Sequence, residues 1–433
     1  MAGTFDLSLL SGPLPGTLTL LGAAGAAWLL IGPARWYFRY GLPIAAAVAA
    51  LATGAGYWVV EKSWRPLPEP LDPALYLLAG ATLLALLLVI PRIVVAPSAA
   101  VAVTSVVAAS AVLVAAGARA NVIYGSYPSL RAALGFTDVA HVDLDQVAPQ
   151  PKTITGRPLQ SAWRDPGGLP GGGRILTTAI DPLISGFTAR PAQIYLPPAY
   201  FANPRPLLPV LILLAGAPGA PQDWIVSGRL VETMDEFAHA HEGLAPVVVV
   251  ADGTGSPLGD PLCLDSKLGN AATYLSSDVP AWIRAHLQID PYPAAWAIGG
   301  VSYGGTCALQ LATNYPQMFP TFVDISGQDE PSLGDRQRTV NAAFGGDTDA
   351  LLRVNPLDLL RTRSFPGSAG AFAVGADDAF HRPQVERVYH AAQQAGLDVR
   401  LALQPGAHSA AVAAAALHDE LPWLATRLGL TTD

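Results

Sequence analysis

The sequence predicts a mostly parallel α/β sheet with helices on both faces, preceded by a region of four transmembrane helices. Three observations predict it. The apolar excess of the chain is concentrated in its first 125 residues. The remainder alternates β-like Val/Leu/Ile runs with helix-like runs, the pattern of a sheet buried on both sides. At one place a tight Gly300-Val-Ser-Tyr-Gly304 turn joins such a strand to such a helix.

The 433 residues are 51% hydrophobic and only 13% charged, with mean hydropathy +0.35. That is too apolar for an ordinary soluble enzyme. Segments 14–31, 41–60, 73–90 and 99–118 each approach the ~20 apolar residues that cross a bilayer. Their separators hold the charges: Arg35 and Arg39, then Glu61, Lys62, Arg65, Glu69 and Asp72, then Arg92. Residues 1–13 lack the basic start of a cleavable signal peptide, so the first segment reads as a span. No charge is expected inside the spans, and they read as an anchor rather than an ion path. Arg35 and Arg39 put the first connection in the cytoplasm, and Arg92 agrees. Lys62, Arg65, Arg119 and Arg131 pull the other way. The first assignment leaves the C-terminal domain outside the cell. A net charge of -8 and a pI near 5.4 exclude a nucleic-acid partner.

The expected organisation is 1–120 as transmembrane region, 121–173 as connector and 174–433 as catalytic domain. Asp165-Pro-Gly-Gly-Leu-Pro-Gly-Gly-Gly173 reads as a flexible break. After it, β-like runs are expected at 174–180, 192–196, 208–214, 246–251, 295–299, 322–325, 371–374 and 399–404. The early ones have little helix between them and are expected to form an antiparallel edge. Helix-like stretches are expected at 278–287, 304–315, 383–395 and 410–428. Both cysteines, Cys263 and Cys307, fall in this domain. They are either one disulfide or two buried thiols.

A serine hydroxyl is a poor nucleophile until a base takes its proton, and the base needs an acid to orient it. The turn around Ser302 suits a nucleophile, because small neighbours let the hydroxyl project above the end of the sheet. Downstream, residues 371–378 form a strand running through Gly375 to Asp377 and Asp378. The next strand ends in Pro405-Gly-Ala-His408. The order Ser, Asp, His is that of the α/β-hydrolase fold. His408 is therefore the expected base and Asp378 the expected acid, with Asp377 as the competitor. His381 is set aside because it precedes the strand that should deliver the base. Two backbone N–H donors are needed for the oxyanion: Tyr303, directly after the nucleophile, and Ala217, in the turn after 208–214. Trp224 either walls the acyl pocket or packs in the core. No zinc, P-loop or dinucleotide motif occurs, and Asp260 and Asp265 are an ordinary pair of loop carboxylates. No cofactor and no metal are expected.

Residues from about 173 to 428 resemble the putative esterase family of α/β-hydrolases, which includes esterase D and the antigen 85 mycolyltransferases. The resemblance rests on Tyr195-Leu-Pro-Pro-Ala-Tyr200, Leu213-Leu-Ala-Gly216 with Trp224, Ala251-Asp-Gly253, Tyr274-Leu-Ser-Ser-Asp-Val-Pro280, Ile298-Gly-Gly-Val-Ser-Tyr-Gly-Gly305 and Gly406-Ala-His-Ser409. Placed behind membrane spans, the arrangement is similar to membrane-anchored actinobacterial esterases. The resemblance implies an extracytoplasmic domain and a Ser302-Asp378-His408 triad, and it supports Ala217 and Tyr303 as oxyanion donors; the expected substrate is an acylated envelope lipid or glycan. The chain departs from the family at Ala407, at Ala410-Ala411 and, for the mycolyltransferases, at Tyr303. The expected function is thus a serine esterase or acyltransferase at the cell membrane. The alternatives are a non-catalytic anchored scaffold, or a transport or lipid-binding module carrying an esterase domain.

Overall fold

The computed structural model describes residues 7–32, 34–136 and 139–432. The chain divides into two compact units, Met1–Thr137 and Asp138–Asp433.

Among its described residues the first unit holds four long helices: α1 (Pro13–Leu30), α2 (Leu42–Trp58), α3 (Pro73–Val94) and α4 (Ala99–Tyr124). Wider π-type turns flank α2, so that span runs unbroken from Tyr37 to Trp64. All four are long and apolar enough to cross a membrane. Proline in the first turn starts α1, α2 and α3, where its missing N–H costs nothing. Asp72 and Ser98 cap α3 and α4 through their side chains. Small residues let α1 and α4 meet closely: a Cβ on Gly25 would stand 2.5 Å from the Ala108 carbonyl oxygen. Leu20, Leu51, Leu77 and Val94 meanwhile face outward.

One expectation fails here. Arg92 lies within the last turn of α3, not in a separator, and is only 4% exposed. Its guanidinium donates to Ser105 Oγ at 3.3 Å and to the Ile31 carbonyl, and lies over the Trp28 ring. The buried cation thus has two oxygen acceptors and an aromatic face, the kind of partners that burial of a charge requires. Glu61 and Lys62 likewise belong to the second helical run.

The second unit is built on a nine-stranded sheet. Its strands are β1 (Ala140–His141), β2 (Arg174–Thr178), β3 (Ala192–Leu196), β4 (Val210–Leu214), β5 (Val247–Ala251), β6 (Trp296–Val301), β7 (Thr321–Ile325), β8 (Ala369–Gly375) and β9 (Asp398–Gln404). The spatial order is β1-β2-β3-β5-β4-β6-β7-β8-β9. Only β3 runs against its neighbours β2 and β5; every other pairing is parallel. The expected antiparallel edge is therefore this single reversed strand. Every residue of β4, β5, β7 and β8 is buried, which is why these strands read as continuous apolar runs.

Helices α5 (Leu230–Ala240), α6 (Tyr303–Asn314), α7 (Arg382–Gln394) and α8 (Ala410–Arg427) supply the cover. Helix α6 packs on β6, β7 and β4, and α7 on β8 and β9. Helix α8 pairs with α5 and also lies against β7 to β9.

The segment expected as connector is divided. Residues 121–124 complete α4, whereas β1 pairs with β2 and Val142, Val147, Leu159 and Trp163 enter the main core. The Trp163 indole donates to the Glu242 carbonyl at 3.0 Å, and Gly173 N–H donates to Asp235 at 2.7 Å. The glycine-rich stretch is thus fastened to the domain at both ends.

Cys263 and Cys307 form a disulfide, with Cα atoms 5.5 Å apart. It ties the loop after β5 to helix α6. The bridged residues are 44 apart, and closing such a loop stabilises by up to about 4 kcal/mol on chain-entropy grounds. The Cys263→Ser/Cys307→Ser double variant is expected to lose roughly 5–15 °C in the thermal midpoint of this domain. An unchanged midpoint by calorimetry would contradict it.

Candidate active site

Strand β6 ends at Val301, and Ser302 follows with φ 57° and ψ -119° before α6 begins. A non-glycine residue in this region stores about 1–3 kcal/mol of strain. Two main-chain bonds hold it there: Ser302 N–H donates to Ile325 O at 2.8 Å, and Ser302 O accepts from Thr306 N–H at 3.0 Å. The motif glycines are required by close approach. A Cβ on Gly304 would stand 2.7 Å from the Ala215 carbonyl oxygen, and one on Gly300 would collide with the backbone of Gly304.

The turn after β4 passes beside the serine. A Cβ on Gly216 would lie 4.0 Å from Ser302 Oγ, so the chain passes the serine immediately before Ala217. Tyr303 is the first residue of α6, where N–H groups have no partner within the helix and the helix dipole favours negative charge. Its phenol is occupied elsewhere: it donates to Gly253 O at 2.9 Å and accepts from Cys263 N–H at 3.0 Å. Burial pushes this hydroxyl well above its ordinary pKa, helped by Asp260, so it remains a donor. Trp224 is buried and its indole donates to Leu214 O at 2.9 Å. Of the two readings left open for it, the structure gives the packing one, bracing the end of β4.

The acid and base arrive on adjacent strand ends. A Cβ on Gly375 would stand 2.5 Å from Gly406 O, so the turns after β8 and β9 touch. Asp377 N–H donates to Gly406 O at 2.9 Å. This sends the Asp377 side chain to solvent and Asp378 inward, 4% exposed. His408 Nδ1 then lies 2.9 Å from Asp378 Oδ2. The structure therefore brings Asp378, not Asp377, to His408. Ser302, Asp378 and His408 all sit at the carboxyl ends of parallel strands, where ligands of open α/β sheets bind. Among the described residues no hydrogen bond joins Ser302 Oγ to His408, whose hydrogen bond is the one to Asp378.

His381, set aside on the sequence, belongs to this cluster. It is 2% exposed, its Nδ1 is 3.1 Å from both oxygens of Asp378, and its ring stacks on His408. The signal was local: Asp378 and His381 are three residues apart in the turn that leads into α7. Burial pushes the Asp378 carboxyl up, but hydrogen bonds from His381 and His408 outweigh it and hold it well below the ordinary carboxylate range. Behind them on β7, Asp324 is pushed up to about 7 by burial, with the Gly327 N–H and the His381 ring opposing.

The other carboxylates singled out do different work. Asp265 accepts from Thr273 N–H at 2.9 Å and Thr273 Oγ1 at 2.6 Å, so both its oxygens are taken. Asp260 accepts from Leu262 N–H and is pushed up to about 7 by burial. His241 and His286 stack on Phe237 and Trp282 of their own helical segments.

A mostly parallel sheet with a strained serine elbow and a carboxylate–imidazole pair at its carboxyl edge defines an α/β-hydrolase. Residues 188–413 match the family described as "Putative esterase", and the chain belongs to that family. It is an enzyme of the ester-hydrolase class. An uncharacterized protein of Corynebacterium glutamicum is 36% identical over 410 residues, 93% of each chain. The diacylglycerol acyltransferase/mycolyltransferase Ag85C of Mycobacterium leprae is 39% identical over 62 residues, 14% of this chain and 18% of that one. Among solved structures, a ferulic acid esterase superposes with TM-score 0.51 at 19% identity, covering 59% of this chain and 98% of its own. An S-formylglutathione hydrolase of Agrobacterium tumefaciens superposes with TM-score 0.50 at 20% identity, covering 60% and 98%. These two likenesses bear on the fold.

Proposed function

We propose that this chain is a serine esterase or acyltransferase that works on an acylated lipid or glycan of the cell envelope. The observation that carries the reading is the 2.9 Å contact of Asp378 with His408 on the same sheet edge as the strained Ser302. In the proposed reaction His408 Nε2 takes the proton of Ser302 as Oγ attacks the acyl carbonyl. Asp378 holds the imidazole in the tautomer that makes this possible and balances the imidazolium that forms. The Ala217 and Tyr303 N–H groups receive the developing oxyanion. Collapse of the tetrahedral intermediate expels the alcohol, which takes the proton from His408 and leaves the acyl group on Ser302. Water or a second hydroxyl compound then repeats the steps in reverse. Whether water or an alcohol wins depends on how well the pocket excludes water.

We place the catalytic domain outside the cytoplasm. The disulfide supports this, because such bonds persist in oxidising compartments. Arg35, Arg39 and Arg92 support it too. They lie at the helix ends that alternate with the end leading into the domain, and they have no acidic neighbours in those connections.

The test is the full chain in detergent micelles with short- and long-chain acyl esters, followed by mass spectrometry of Ser302. An added acyl mass on the Ser302 peptide, with labelled acyl divided between water and a disaccharide acceptor, is the expected result. Turnover with no acylated Ser302 under rapid quench would count against it.

A further inference from the structure

The proposed reaction leaves His381 without a task, although it binds the same carboxylate as His408. Its main-chain N–H donates to Asp378 Oδ1 at 2.9 Å, and its Nδ1 lies 3.1 Å from each carboxylate oxygen. His408 Nδ1 reaches Oδ2 at 2.9 Å. A ring nitrogen facing a carboxylate at this distance carries the proton, so Asp378 accepts from two imidazoles. Those two rings lie face to face, with centroids 4.0 Å apart and planes inclined by 17°. The carboxylate is thereby held through both of its oxygens, and the His408 ring has a flat wall to rest on. With 2% exposure His381 is shut off from any ester, so it acts through its neighbours.

We propose that His381 is a positioning residue: it fixes the plane of the Asp378 carboxylate and supports the His408 ring against it. This rests on the Ser302–Asp378–His408 reading. An unbraced Asp378 turns about its side-chain bonds, and His408 follows it out of line with Ser302. A displacement of about 1 Å in such a group costs about 100-fold in rate.

Two substitutions separate the hydrogen bond from the packing. His381→Asn places an amide N–H where Nδ1 stands, while His381→Phe keeps a stacking ring and has no donor. In the full chain, with a water-soluble short-chain ester, His381→Phe is expected to lower kcat by about 10–100-fold with KM changed less than about two-fold. His381→Asn is expected to recover most of that loss. A fully active His381→Phe, or an Asn variant no better than Phe, overturns the proposal. If His381→Phe does not show a folding transition, His381→Leu takes its place as the variant without a donor. Wild-type protein that turns over without labelling at Ser302 removes the underlying triad reading. Wild-type labelling at Ser302 beside a fully active His381→Phe removes only the role of His381.

Discussion

Ser302→Ala is expected to lower kcat by about 10⁴–10⁶-fold and to abolish covalent labelling by a fluorophosphonate, with little change in thermal midpoint. The large loss follows from covalent chemistry, since Ser302, the proposed nucleophile, stands on the strand–helix turn beside Gly216. The small stability change follows because alanine keeps the Cβ and both main-chain bonds of Ser302. Ser302→Gly supplies the contrast. Glycine tolerates φ 57° without strain, so this variant is expected to be as inactive as Ser302→Ala but to unfold at an equal or higher temperature. Residual labelling in Ser302→Ala, found on a different peptide, would sink the assignment of the nucleophile.

How far the sequence could be read depended on how local each determinant was. Strands β3 to β8 are legible because each is a short apolar run closed by Gly, Pro or a charged residue. The elbow is legible because its glycines are steric requirements that leave a pattern in the chain. Strand β1 is not, because a two-residue pairing has no period to detect. Nor is the attachment of residues 139–173, which depends on Trp163 meeting a carbonyl 79 residues away. Arg92 misled for a similar reason: its acceptors come from α1 and α4, so nothing around it in the sequence announces burial. On the sequence Asp378 leads only by its place in the Gly375 turn, with Asp377 as its competitor. One main-chain bond to Gly406 decides which of them turns inward. His381 was passed over through the rule that the base follows the last strand. That rule locates a base and says nothing of a second imidazole on the acid.

Asp378→Asn is the variant in which activity and stability should separate by pH. Asparagine presents an N–H or a carbonyl where His408 and His381 both require an acceptor, so His408, the proposed base, loses its orientation and its counter-charge. A loss of about 10⁴-fold in kcat at neutral pH is expected, with KM little altered. The stability effect has a defined sign. The folded state holds Asp378 below its ordinary pKa of about 3.9, so ionised Asp378 stabilises the fold at all pH values above that figure. The contribution is lost as the pH falls below it towards the folded value. The thermal midpoint of Asp378→Asn should therefore lie below that of the wild type at pH 7, and the gap should close on acidification below about pH 4. A gap that is constant from pH 7 to pH 3 would mean that Asp378 is not held as a carboxylate by its two histidines. Because Asp378 stays ionised throughout the neutral range, any inflection in the wild-type kcat/KM profile above pH 5 belongs to another group. Asp377→Asn is the control: its side chain is exposed, and both its rate and its midpoint should match the wild type at every pH.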